Sequence, residues 1–190
     1  MNKIKLLKRI HLYLSIAVFL ILLIFSLHNK QLNITEISLS KLGINQDGWI
    51  WNTGLIAISI LLYYKIKHTI EKFIESVTLH RINKILTVSL ILTAAITMNY
   101  PLHNFVAYSY FLATSFLMFL FGIKLHKTNF RIAQTSLVIA MLSVLLPSMS
   151  IPFIKSLAIP ETLHILILFG WLVVLEHDDM VINLLKKIGL

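Results

Sequence analysis

Apolar residues fill this chain in long blocks separated by short polar breaks, unlike the strict alternation of half-buried strands or the single stripe of a soluble amphipathic helix. Six blocks, at 10–27, 49–64, 82–99, 105–125, 132–151 and 159–176, approach the length a helix needs to cross a hydrocarbon core, which is about 20 residues for roughly 30 Å. They predict an all-α polytopic membrane protein with six transmembrane helices, folded as a single membrane domain over 1–190. The first block has an apolar core, IAVFLILLIF, longer than a usual signal h-region, and no small-residue cleavage site follows, so it reads as an uncleaved anchor. The second opens on Trp49 and Trp51 and closes on Tyr63 and Tyr64, as an aromatic belt at each interface would. The third is short and must borrow a turn from 79–83 or thin the bilayer locally.

The connecting segments are less regular. In 65–84, Ile66, Ile70, Phe73, Ile74 and Val77 recur at helical spacing among charges, which predicts a surface helix or an extension of the second span. Tyr100 to Asn104 reads as a tight turn around Pro101, and Pro147 as a kink or early stop in the fifth span.

Composition strengthens the membrane reading: 57% of the 190 residues are hydrophobic and 13% charged, against about 45–50% and 25% in soluble domains. With no cysteine, disulfides, thiolate nucleophiles and Cys-type metal sites are excluded. The formal charge of +9 would suit a nucleic-acid binder, but its distribution argues otherwise. Six spans with both termini cytoplasmic place 14 basic residues on the cytoplasmic side and only Lys30, Lys41 and Lys155 opposite, as the positive-inside bias requires. That charge is spread over four short segments, so the partner it indicates is the lipid bilayer of the inner membrane and not a nucleic acid.

No Lys, Arg, Asp or Glu falls in the middle of any block, which disfavours ion-coupled transporters, proton pumps and voltage sensors. The polar residues inside, Ser89, Thr93 and Thr97 on the third helix and Gln134, Ser136 and Ser143 on the fifth, read as helix-packing contacts. The outer ends hold the candidate chemistry: His28, Asp47, Asn52, His103, Glu161 and His164. Glu161 and His164 form an i, i+3 pair that, with His28 and His103, has the residue types for a metal site. The plainer reading gives Glu161 a role in the first turn of its helix, where an acid favours the dipole, and leaves the histidines on loops. No motif names a cofactor: His11 and its potential haem partners His80, His126 and His177 fall at helix ends or in loops. The acidic group from Glu176 to Asp179 is expected to pair with the basic loops of its own face.

Three segments together carry a family resemblance. Ile37-Ser38-Leu39-Ser40-Lys41-Leu42-Gly43 precedes Trp51-Asn52-Thr53-Gly54-Leu55; Met98 to His103 leads into an aromatic fourth helix; and the sixth helix pairs Glu161 with Trp171. In these the chain resembles the bacterial membrane family known as domain of unknown function 998, and more distantly the DRAM-like membrane proteins. The resemblance implies a six-helix fold with both ends inside, and places Ser40, Asn52 and His103 on one outer face; Lys41 stands where members often carry an acid.

Three functions fit these residues. The outer set Ser40, Asp47, Asn52, His103, Glu161 and His164 could bind a lipid headgroup or small-molecule ligand by hydrogen bonding. Alternatively His103, Asp47, Glu161 and His164 could hold a metal or serve as general acid and base on a lipid substrate. Third, the small-residue faces could make the chain a structural subunit of a complex with another membrane protein.

Overall fold

The computed structural model describes residues 3–28, 38–44, 47–96, 98–150 and 157–178. Among these residues six α-helices follow in order, α1 (Lys3–His28), α2 (Gly48–Phe73), α3 (Val77–Ala95), α4 (Pro101–Leu125), α5 (Phe130–Ser150) and α6 (Ala158–Glu176), with a 3₁₀ turn (Leu39–Ile44) between α1 and α2. No strand occurs among the described residues. Five of the helices are long and apolar enough to cross a membrane: residues Arg9–His28 of α1, and all of α2, α4, α5 and α6. They make this a multi-pass membrane protein by architecture. α3 is not in that group, because His80, Arg81, Asn83 and Lys84 crowd its first turns.

Local chemistry explains where the helices end, and corrects several expected boundaries. α2 does not stop at Tyr64: no Gly or Pro interrupts it, Ile66 and Ile70 are fully buried, and it continues to Phe73. The amphipathic pattern in 65–84 is therefore the end of α2 and the start of α3. α3 begins at Val77 rather than 82, because the Ser76 hydroxyl caps it by accepting from the Leu79 amide at 3.4 Å. It ends at Ala95, short of 99. Pro101 is the first residue of α4 and not the middle of a turn. There a missing N–H costs nothing, while the extended Tyr100 before it has the backbone a proline imposes. Asn129 caps α5 through its side-chain oxygen, and Pro147 lies inside a helix that runs on to Ser150.

Each helix packs chiefly on its chain neighbours, and α1 also touches α6. α4 and α5 approach closely at Gly122, where a Cβ would stand 2.9 Å from the Ala133 carbonyl oxygen and 2.8 Å from Leu137 Cγ. Small residues let membrane helices come together in this way. Trp171, fully buried, meets Phe121 edge-on at 5.3 Å and donates to the Ser136 hydroxyl at 3.0 Å. Ser143 likewise bonds Ser115 across α4 and α5, whereas Thr93 bonds the Ser89 carbonyl of its own helix and Gln134 stands exposed, so of the expected packing hydroxyls Ser136 and Ser143 make the interhelical bonds. Thr97, Lys30, Lys155, Asp179 and the C-terminal Lys186 and Lys187 lie outside the described residues.

The two ends of the bundle differ. At one end Glu176 takes Arg9 at 2.8 Å and also pairs with Lys65, while Lys72 reaches Asp178 at 3.1 Å and Tyr13 contacts His177 at 2.5 Å. The acidic group thus pairs with basic residues of its own face. Lys65 is the surprise, being 1% exposed. It sits about 25 Å along α2 at 1.5 Å per residue, inside the helix and not in a loop as its position after Tyr64 implied. The other end gathers the 3₁₀ turn, the starts of α2, α4 and α6 and the end of α3.

Candidate pocket at the strap end of the bundle

The 3₁₀ turn is held across its end of the bundle by side chains from two helices. Its Leu39 and Leu42 point inward and are buried. Glu161, in the first turn of α6, accepts from the Leu39 amide at 2.7 Å and from the Ser40 hydroxyl at 3.3 Å. Asn52, one turn into α2, donates its amide to the Gly43 carbonyl at 3.1 Å. Gly48 opens α2 directly against the Gly43 backbone, where a Cβ would collide. Three of the candidate residues, Ser40, Asn52 and Glu161, therefore meet in one strap, and the stretch Ser40 to Gly43 supplies its contacts. Asp47 occupies the N-cap position of α2, its carbonyl accepting from the Ile50 amide at 3.0 Å.

The two inner histidines have a different task. His103, in the first turn of α4, is 3% exposed, with Nδ1 at 2.6 Å from the Ile96 carbonyl at the end of α3. His164, one turn below Glu161, is also 3% exposed, with Nδ1 at 3.0 Å from the Ser143 carbonyl of α5. A carbonyl only accepts, so each Nδ1 carries the proton and each Nε2 presents a lone pair. Both Nε2 atoms are buried without a hydrogen-bond partner among the described residues. Phe111 and Tyr110 hold the His164 ring edge-on, at centroid distances of 4.8 and 6.2 Å.

Glu161 and His164 share a helix face, as their spacing implies, yet they point to separate partners. Among the described residues no three His, Asp or Glu side chains come together in a way that could hold a metal ion. The set His28, His103, Glu161 and His164 is thus not assembled: His28 stands exposed at the end of α1, and the others are engaged as above.

Two cavities meet at Glu161. One, of about 40 Å³, lies under the strap beside Trp51 and Asn52. The larger, about 310 Å³, is walled by α4, α5 and α6, with Glu161, His164, Ser143 and Ser115 on its lining. Its mouth residues Tyr108, Leu112 and Val144 are 58%, 69% and 50% exposed. On membrane-crossing helices that exposure faces lipid, so the cavity opens sideways. Its volume falls at the lower edge of the usual ligand range, about 300–1,000 Å³. Sequence spacing pointed to Glu161 and His164 of this cavity but not to the rest of its walls: Ser115, Phe111 and Val144 carry no motif, and only the packing of α4 against α5 and α6 brings them in.

Comparison with known proteins finds no matching family model, no matching curated protein and no matching solved structure.

Proposed function

We propose that this chain is a six-helix protein of the inner membrane, with both ends cytoplasmic, whose outer end binds a lipid headgroup or small amphiphile in the lateral cavity between α4, α5 and α6. The observation that carries this reading is a cavity of about 310 Å³, open between lipid-facing residues, whose polar wall holds Glu161 and the unpartnered His164 Nε2. A buried acceptor without a donor is costly, and a ligand hydroxyl or N–H removes that cost. The resemblance to domain of unknown function 998 agrees with this placement, since Ser40 and Asn52 secure the strap beside the cavity. α3 serves as the sixth span: its 19 residues reach about 28 Å, with Arg81 and Lys84 toward the cytoplasmic end.

Photoactivatable lipids test the location. Diazirine-tailed monoacylglycerol, crosslinked in membranes, should label 108–115 and 143–148 above the lipid-facing Ile21 and Ile24 of α1. Even labelling of both regions contradicts the reading. Orientation has its own check, free of background because the chain has no cysteine. An Asp47→Cys variant should react with an impermeant thiol reagent added outside, and a Lys67→Cys variant should not; the reverse pattern overturns the topology.

A further inference from the structure

We infer that the lateral cavity selects an amphiphile whose head donates hydrogen bonds and carries no negative charge, a hydroxyl or amine head and not a phosphate. This rests on the reading of the cavity as a lipid site, and follows from counting the protons on its wall. His164 spends its Nδ1 proton on the Ser143 carbonyl, which leaves Nε2 as a buried acceptor. The Ser143 hydroxyl donates to the Ala140 carbonyl at 2.7 Å, so the 2.8 Å contact between Ser143 and Ser115 is made by the Ser115 proton. Both serine protons are then committed. Glu161 brings acceptor oxygens that the Leu39 amide and Ser40 hydroxyl do not exhaust. The remaining hydroxyls, Tyr108 and Ser148, stand exposed at the mouth.

The deep end of the cavity therefore presents lone pairs and almost no donors. No Lys or Arg is among the described residues that line it. A phosphate head needs donors and positive charge around its oxygens, and this lining supplies too little of either. A hydroxyl or ammonium head finds in His164 Nε2 an acceptor with nothing else to bind, and the apolar mouth at Leu112 and Val144 takes its chain.

The test uses the purified full chain in detergent, offered an equimolar mixture of 1-monooleoylglycerol, oleylamine and oleoyl lysophosphatidic acid, with adducts counted by native mass spectrometry. Wild type should retain a single adduct of monooleoylglycerol or oleylamine in clear excess over lysophosphatidic acid, and the ratio of the first two tells an alcohol head from an amine. His164→Phe keeps an aromatic ring against Phe111 but removes the acceptor, and should lower the donor-head adduct about fivefold, the worth of one hydrogen bond. Leu112→Trp, at an exposed position, should remove it by filling the mouth. Lysophosphatidic acid bound as well as the other two, with Leu112→Trp still blocking, overturns the head selectivity while leaving the lipid site standing. A donor-head adduct undiminished in folded His164→Phe also overturns it. No adduct that Leu112→Trp removes overturns the lipid site together with the inference.

Discussion

Glu176→Gln should lower the melting temperature of the purified protein by roughly 6–12 °C, the largest shift expected from any single exchange of a polar side chain here. The reason lies in Lys65. Its side chain is 2% exposed, and its ion-pair partner among the described residues is Glu176, itself 11% exposed and shared with the more open Arg9. Removing one partner of a buried pair leaves an uncompensated charge and costs about 3–5 kcal/mol; the lower end applies here because Arg9 is 41% exposed. Replacing both partners removes the charge that needed compensation. Lys65→Met combined with Glu176→Gln should therefore recover most of the lost stability, leaving Arg9 to water. Calorimetry or a thermal shift assay in one detergent reads all three proteins. A Glu176→Gln protein that melts with wild type, or a double variant no better than the single one, would show that the pair contributes nothing to the fold.

This end of the bundle also shows how far the sequence could be read. Six helical blocks and an acidic group answering basic neighbours were legible, because hydropathy and charge are additive along a chain. The burial of Lys65 was not. The apolar run ends where a lysine follows two tyrosines, yet α2 continues because helix propensity does not stop at a charge and Ile66 and Ile70 still need covering. What neutralises the lysine is a residue 111 positions away, and that proximity belongs to the packing of α2 on α6. Likewise the edges of α3 moved because a serine cap and a proline at a first helical turn act locally, whereas a hydropathy window averages over them.

At the strap end of the bundle the same division holds. Ser40, Asn52 and Glu161 were legible as polar residues at interfacial depth, and they converge in the strap over the bundle. Glu161 and His164 were legible as neighbours on one helix face. Their divergence was not, since it depends on what faces α6: the 3₁₀ turn above Glu161, and the Ser143 carbonyl beside His164. A metal set suggested by residue type failed to assemble for that reason. The cavity wall carries no motif because apolar residues on lipid-facing helices look alike in sequence, whether they border lipid or a gap between helices.

The second large effect concerns that gap, and bears on the central claim that a lateral, outer-end cavity holds an amphiphile. Leu112 is 69% exposed at the mouth, so an indole there has room to lie over the opening without disturbing the core. A filled mouth excludes a chain, and the buried His164 Nε2 then loses its donor. The decisive measurement is native mass spectrometry of protein extracted from its own membranes in a mild detergent, comparing wild type with Leu112→Trp. Wild type should carry one lipid-sized mass per chain, and Leu112→Trp should be bare while still melting in one cooperative transition, lowered only by the loss of the bound lipid. Wild type without such a mass, or a Leu112→Trp protein carrying the same mass in the same amount, would contradict the account.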